Sequence, residues 1–434
     1  MNVLLFGHGG REHALAEAFA RSPKISGLCS YMRCRNPGIE FFSKNNCIGD
    51  YGDAEKIKNF ARENKIDFSF IGPELPLSLG VVDILKGMGI PSVGPTKKLS
   101  RLESSKSFTR DLLEKYKISG NPRFKIFSSE IGIADFMEEL GGFVIKADGL
   151  KSGKGVKVSG EHLANIDEGM QYARECLLDG RVVIEEKLEG EEFSLQCFAD
   201  GMNISPAPLV QDHKRAYEGD AGPNTGGMGS YSDKNHLLPF LKNEHKEAAL
   251  EITKKVLLAI KEETGEFYQG IMYGGFMLTA RGVRLIEYNA RLGDPEAINI
   301  LPILKTDLAD LSLAIINQKL DGLKVEFENK ATVCKYLAPA GYPDNPIENG
   351  AVDFSAIPKT ARLYYASATK KGKEIIFGAS RGAAILGIGE NIEEAEAIAE
   401  AGASAVAGNI FYRKDIGTKK IIEKRMGHIK NLGI

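Results

Sequence analysis

The chain has no run of apolar residues approaching the roughly 18 that a membrane span needs, and its opening Val3-Leu4-Leu5-Phe6 is too short for the core of a signal peptide. It has no excess of basic charge either: 56 Lys and Arg stand against 58 Asp and Glu, a formal charge of -2. So balanced a surface does not neutralise a nucleic acid backbone, and phosphate binding must come from local clusters. Cysteine is sparse, and the six residues Cys29, Cys34, Cys47, Cys176, Cys197 and Cys334 form no C-x-x-C pair, which argues against a disulfide framework. A zinc site among Cys29, Cys34 and Cys47 would need His8 or His13 as a fourth ligand; reduced, partly buried thiols are the simpler expectation. These absences point to a soluble, cytoplasmic protein, expected to be monomeric, with neither nucleic acid nor membrane as a partner.

What is present is length and glycine. The 434 residues suit about three domains at roughly 150 residues each, and 48 glycines promise tight turns or backbone-lined sites. Apolar runs at 3–6, 25–32, 68–71 and 90–93 alternate with helix-like stretches at 11–21, 53–64 and 77–88, the pattern of a parallel, doubly wound sheet. A polar helix at 106–116 carries the chain onward. From about 123 to 200 the signals are mostly strand, with one helix at 167–178. Residues 203–232 are rich in Pro, Gly, Asn and Asp without periodicity, and an irregular stretch of that length is usually functional. An amphipathic helix at 243–263 leads to two antiparallel strands, 274–279 and 283–289, around the turn Ala280-Arg281-Gly282. A helix near 307–318 precedes a last unit that opens near Ala331, with strands at 362–368, 374–377 and 383–387 and a helix at 392–406. The expected class is α/β, divided at 1–102, 103–330 and 331–434.

Four segments carry chemistry. Gly7-His8-Gly9-Gly10-Arg11-Glu12 joins the first strand to the first helix, where N–H groups can hold an anion. Glu12 replaces the third glycine of a dinucleotide fingerprint, and its carboxylate would repel a pyrophosphate, which favours a smaller phosphorylated ligand. Lys146 to Val156 sets lysines among Gly149, Gly153 and Gly155 at a strand-to-strand turn, a lid of N–H groups and ammonium charge suited to a polyphosphate. Walker A is not met, because Gly155 follows Gly153-Lys154 where Ser or Thr is required; the plain alternative is a solvated basic hairpin. Glu185, Glu186, Glu191 and Glu192 end an apolar strand, where a carboxylate can accept from ribose hydroxyls. Glu287 and Asn289 alternate onto one strand face, two hard oxygen ligands at a spacing suited to Mg2+, with Arg291 following to clamp a carboxylate or phosphate. No H-E-x-x-H helix occurs. Lysines, a glycine lid and an oxygen-ligand pair match phosphoryl transfer, which needs no protein nucleophile.

Together these segments resemble the ATP-grasp ligases, and more closely the glycinamide ribonucleotide synthetases, the phosphoribosylamine–glycine ligases. The likeness runs through Gly7 to Ala14, Gly72-Pro73-Glu74, Gly94-Pro95-Thr96, Lys146 to Val156, Gln211 to Arg215, Gly222 to Gly229, Glu287 to Glu296, and Arg413 to Gly417. It implies an N-terminal Rossmann-like domain, a central ATP-grasp domain with a lid at about 120–190, and a C-terminal mixed α+β domain. It also implies a cytoplasmic enzyme of purine synthesis that joins glycine to 5-phosphoribosylamine through glycyl phosphate, with ATP as co-substrate and Mg2+ or Mn2+ as cofactor. On this resemblance Lys106 and Lys146 contact ATP phosphates, Gly153, Lys154 and Gly155 cover them, Glu185, Glu186 and Leu188 meet the adenine, and Glu191 or Glu192 meets the ribose. Glu287 and Asn289 would hold the metal. Arg291, Asp212 and Lys214, with Asn224, Thr225, Gly226, Gly227, Asp294 and Pro295, would face glycine and the acyl phosphate, while Gly9, Gly10 and Arg11 would face the sugar phosphate.

Three positions depart from the family pattern. Gly275 stands where relatives often carry a third metal-side carboxylate, Asn36 precedes Pro37-Gly38 instead of following such a pair, and Tyr364 to Thr369 replaces a customary Phe-His-Ala-Gly-Thr. The rival readings are another carboxylate–amine ligase of the same fold with a different acceptor, such as a formate- or carbonate-using purine enzyme, and a nucleotide-binding protein without catalysis. The G-P-N-T-G-G-M-G loop at 222–229 argues against the first, and the metal pair argues against the second.

Overall fold

Strands that are apolar on both faces need cover on both, and helices supply it. The structure, a computed structural model, describes residues 1–150 and 155–434. Its first sheet has five parallel strands in the spatial order Asn45–Ile48, Gly27–Met32, Asn2–Phe6, Phe68–Ile71 and Ser92–Val93. Val3, Leu4, Leu5 and Phe6 are fully buried, so the doubly wound sheet expected from the sequence is present. Chain order reverses beside Asn2–Phe6, the place where an open parallel sheet leaves a crevice. The single helix expected at 77–88 is two, Glu74–Leu79 and Val81–Lys86, because Gly80 between them takes a φ of +83° and interrupts the helical ladder.

A second sheet is antiparallel: Phe124–Phe127, Val182–Glu186, Phe143–Ala147 and Val156–Val158. It has a core of its own, built from residues such as Phe136, Met137, Phe143, Ile145 and Ile184. Helix Ile166–Leu178 packs there, started by Asn165, whose side chain accepts the Glu168 N–H. A second helix, Ile133–Leu140, lies in the stretch read as strand. Its buried Ile133, Phe136 and Met137 follow helical spacing, but Gly132 and Gly141 bracket a segment too short to show the period clearly.

The third sheet is antiparallel in the order Ile204–Pro206, Glu191–Asp200, Gln269–Thr279 and Gly282–Asn289, with helix Asn243–Thr264 packed on it. Gln269–Thr279 begins earlier than the expected 274 because Gly270, Gly274 and Gly275 dilute its strand signal. The stretch at 203–232 also contains short strands. Two of them, Gln211–Asp212 and Gly229–Ser232, join Ala331–Pro339, Ala383–Gly389 and Arg362–Tyr365 in one sheet, so backbone pairing crosses position 330. Helix Ile392–Ser404 covers that sheet, and helix Lys419–Asn431 follows. Among the described residues no helix is long and apolar enough to cross a membrane.

Helix Gly10–Ala20 packs on strand Arg362–Tyr365, joining the two ends of the chain. The His13 ring stacks on Tyr365 with centroids 5.8 Å apart, and its Nδ1 accepts the Tyr365 N–H at 2.8 Å. The Tyr364 hydroxyl donates to Glu17 at 2.6 Å. Asn36 Nδ2 donates to the carbonyls of His8 and Tyr365 at 2.9 and 2.8 Å. Two of the three unusual positions noted in the sequence therefore meet in one contact between the N-terminal segment and strand Arg362–Tyr365. Burial pushes the pKa of His13 down to about 4. An unfolded imidazole titrates near 6.5, so the unfolded chain takes up a proton that the folded chain refuses. Stability should be fully present above about pH 6.5 and fall by up to about 3 kcal/mol as the pH drops to about 4. Urea unfolding across that window should give a shallower slope for His13→Gln than for the wild type; parallel slopes would refute the assignment.

Candidate active site

In paired strands, cross-strand neighbours form rows that share a face. Gln196, Tyr273 and Asn289 form one row of the third sheet, and Ser194, Gly275 and Glu287 form the next. Glu287 and Asn289 thus lie on one face, as the strand reading required. Lys106, Lys146, Lys214 and Arg291 all act on the Glu287 carboxylate: burial pushes its pKa up, but these cations outweigh burial and the net shift is downward. A carboxylate held ionised among lysines, with an amide oxygen on the same face, has the donor chemistry for a hard divalent cation that also takes phosphate oxygens. Gly275 faces Glu287 with room for an added Cβ at 3.6 Å from Cγ, so packing does not exclude a third carboxylate there.

Toward the second sheet, Glu185 is buried between two cations. Arg110 grips it with Nε and Nη2 at 2.6 and 2.8 Å, and Lys146 Nζ lies 2.8 Å from Oε2. Arg110 Nη2 and Lys146 Nζ also donate to the carbonyl of Ile286, at 2.7 and 2.9 Å. The pKa of Lys146 is lowered, chiefly by burial, while Glu185 opposes the shift. Lys106, at the start of helix Lys106–Lys115, donates to the Gly149 carbonyl at 2.7 Å, and the helix is capped by Ser105, whose hydroxyl accepts the Phe108 N–H. Gly155 accepts the Ala147 N–H at the base of the glycine turn. Gly153 and Lys154 lie outside the described residues.

The irregular stretch builds the other end of the cleft. Lys214 Nζ lies 3.0 Å from Glu192 Oε2, and that carboxylate, ahead of the opposing burial, raises the lysine pKa. Thr225 donates from its N–H and hydroxyl to the Lys214 carbonyl and accepts the Gly227 N–H, which fixes the loop after Asn224. Gly227 sits against Asp212 and Pro295, where a Cβ would meet Asp212 Oδ1 at 2.4 Å. Gly226 abuts Arg381, which donates to the carbonyls of Gly227 and Asp294 at 2.7 and 3.2 Å and lies 4.3 Å over the Tyr336 ring. The Tyr336 hydroxyl in turn donates to Asp294 at 2.6 Å.

Several expected residues are already engaged. Arg291 pairs with Glu103 at 3.2 Å and Glu74 at 3.5 Å. The Gly9 N–H donates to Glu12 at 2.6 Å, Gly10 abuts the Tyr336 hydroxyl, and Arg11 binds Glu12 and the Leu292 carbonyl. The first helix therefore holds its own carboxylate at its N-terminus. Glu186 accepts from the Arg123 N–H and from Arg281. Leu188 is half-buried beyond that strand. Glu191 is buried against the C-terminal helix, 2.7 Å from His428 and 3.2 Å from Arg425. Of the two ribose candidates only Glu192 is exposed beside Lys214.

Profiles of the phosphoribosylglycinamide synthetase family match the chain in three consecutive parts: the N domain over residues 1–103, the ATP-grasp (A) domain over 104–297 and the C domain over 332–419. The phosphoribosylamine–glycine ligase of Methanosarcina acetivorans is 45% identical over 432 residues, covering 100% of this chain and 98% of that protein. The chain belongs to this family. The ligase of Methanococcus maripaludis is 48% identical over 444 residues, with complete coverage of both. Among solved structures, the phosphoribosylamine–glycine ligase of Thermotoga maritima has a TM-score of 0.80 at 29% identity, covering 96% of this chain and 100% of that one. Biotin carboxylase of Campylobacter jejuni, 14% identical with a TM-score of 0.72 over 99% and 98% of the two chains, shares the fold.

Sequence reasoning missed Arg110, Glu103, Glu74, Tyr273 and Arg381. Arg110 could have been found, since it stands one helical turn from Lys106 on the same helix face. Arg381 could not: Gly378 to Gly382 spells G-x-S-x-G but turns between strands Glu374–Phe377 and Ala383–Gly389 instead of entering a helix, so it is no nucleophile elbow. Removing one member of a buried ion cluster strands the others. Arg110→Ala should lower stability by about 3–5 kcal/mol in urea unfolding and weaken ATP binding; an unchanged midpoint would show that the cluster holds nothing together.

Proposed function

We propose the following division of labour for the reaction of this family, in which ATP drives the joining of glycine to 5-phosphoribosylamine in purine biosynthesis. The glycine carboxylate attacks the γ phosphorus and ADP leaves. The amine of phosphoribosylamine then displaces phosphate from glycyl phosphate, giving glycinamide ribonucleotide. Lys106 and Lys146 neutralise the ATP phosphates, and the turn of Gly153, Lys154 and Gly155 covers them. The strand end at Glu185, Glu186 and Leu188 meets the adenine through backbone and Leu188, because both carboxylates are held by arginines. Glu192 takes the ribose hydroxyls, since Glu191 is held by His428 and Arg425.

Glu287 and Asn289 would hold Mg2+ or Mn2+, which when bound neutralises charge building between the phosphates. Lys214 and Arg291 draw the glycine carboxylate and the acyl phosphate into line, with Asp212 beside them. The loop of Asn224, Thr225, Gly226 and Gly227, with Asp294 and Pro295, closes over the amino acid. Phosphoribosylamine enters at the end bounded by Gly9, Gly10 and Arg11, where the Arg11–Glu12 pair shapes the wall by packing instead of offering free N–H groups. The enzyme acts as a monomer in the cytoplasm. The observation that supports this reading most is that Lys106, Arg110 and Glu287 line one cavity and Lys146 donates to the carbonyl of Ile286 beside Glu287, which gathers charge where a polyphosphate and an acid can meet.

The test is ADP release with Mg-ATP, glycine and phosphoribosylamine generated in place, each omitted in turn. Release should require both glycine and phosphoribosylamine and keep step with the glycinamide product; release indifferent to glycine would redirect the reading to another acid. Glu287→Ala should lower kcat by about 100-fold or more while the chain still folds cooperatively, and chelation of divalent cations should stop the wild type. Full turnover of that variant at ordinary Mg2+ would sink the metal assignment.

A further inference from the structure

Lys214 and Glu192 face each other 3.0 Å apart, and the segment that carries Lys214 needs support from elsewhere. Lys214 leads into a hairpin of Arg215–Tyr217 and Ala221–Asn224, whose strands pair only with each other among the described residues. A two-stranded ribbon is marginal on its own in water, so other contacts must hold it. The hairpin returns to Thr225, whose N–H donates to the Lys214 carbonyl at 2.7 Å. Whatever fixes the ribbon therefore fixes the root from which Lys214 projects. On the other side of the pair, strand alternation puts Glu191 on the face opposite Glu192.

The C-terminal helix Lys419–Asn431 reaches both supports. Arg425 Nη2 donates to Asp220 Oδ2 at 2.5 Å, at the turn of the hairpin, while its Nη1 lies 3.2 Å from Glu191 Oε2. One guanidinium thus ties the strand that carries Glu192 to the ribbon that carries Lys214. His428 lies 2.7 Å from the other Glu191 oxygen, and Arg413 donates to Asp220 Oδ1 at 3.1 Å. The Gly219 N–H, beside Asp220, donates to Asp415 at 2.9 Å. The C domain profile ends at residue 419, so the bridge comes from a helix beyond the matched part of the chain.

We propose that Arg425 is a positioning residue of the reaction, which sets the Lys214–Glu192 pair in place by holding Asp220 and Glu191 together. It rests on the functional reading above, in which Lys214 aligns the acyl phosphate and Glu192 takes the ribose hydroxyls, and deepens it by naming what holds that pair. The fork is the essential feature. Its two ends bridge carboxylates on separate elements at once, whereas a lysine concentrates its charge at one point and grips only one of them.

kcat and the KM of each substrate are measured for Arg425→Ala, Arg425→Lys and Asp220→Asn. Each should lower kcat about 10- to 100-fold and raise the ATP KM about 10-fold, the scale of a small misplacement of a reacting group. The KM for phosphoribosylamine, which enters at the other end of the site, should stay within about twofold of the wild type. A partly unfolded preparation would lose kcat with every KM unchanged, so the split separates positioning from folding. Asp220 has a φ of +64°, which asparagine also accepts, so Asp220→Asn guards against a folding failure of the Arg425 variants. If Arg425 acts through the pair, adding Arg425→Ala to Glu192→Gln should change the ATP KM by less than about twofold. Lys430→Ala, exposed on the same helix, should match the wild type. An unchanged ATP KM in Arg425→Ala and Asp220→Asn, recovery in Arg425→Lys, full additivity with Glu192→Gln, or an equal loss in Lys430→Ala would overturn the proposal. Wild-type ADP release that ignores glycine would overturn the functional reading itself.

Discussion

The buried cluster of Arg110, Glu185 and Lys146 is the constraint on which the site depends. Its members come from a helix of the middle unit and from two strands of the second sheet, and two of them share the carbonyl of Ile286 next to Glu287. One carboxylate therefore fixes the distance between the cover of the cleft and its floor. Burial makes the cluster unforgiving: each charge is tolerable only while the others are present. The same economy recurs at the C-terminal end, where buried Arg413 binds Asp415, Asp220 and the Arg215 carbonyl and braces the loop that carries Lys214.

The two ends of the cleft differ in kind. Near Lys146 the charges are paired inside the protein and present a settled positive field. Near Asp212 polar atoms are left without partners. The first arrangement suits a ligand bound through its charge alone, the second a ligand recognised by its hydrogen bonds. Gly227 and Gly293 lie against the second end, where any side chain would collide with Asp212 or Glu296.

How much of this was legible in the sequence follows from how local each signal was. The parallel strands could be read because residues such as Val3 to Phe6 are buried on both faces and form unbroken apolar runs. Glu287 and Asn289 could be read because strand alternation alone puts them on one face. The break at Gly80 and the helix at Ile133–Leu140 were lost because each is a short element bounded by glycine. The partners of Arg291 were lost for a different reason. Glu103 and Glu74 lie almost two hundred residues or more from Arg291 in the chain, and nothing in either segment announces the meeting. Charge at a motif reads as available until the fold shows what already holds it.

The sheet that crosses position 330 bears on how the protein is made. Gly229–Ser232 waits, strand edge unpaired, until Ala331–Pro339 has been synthesised, and the turn bearing Arg381 comes later still. A ribosome therefore releases a chain whose first sheets can fold early but whose loop before Gly229 is seated last. Order of synthesis leaves to the end the guanidinium of Arg381 that holds the Gly227 and Asp294 carbonyls.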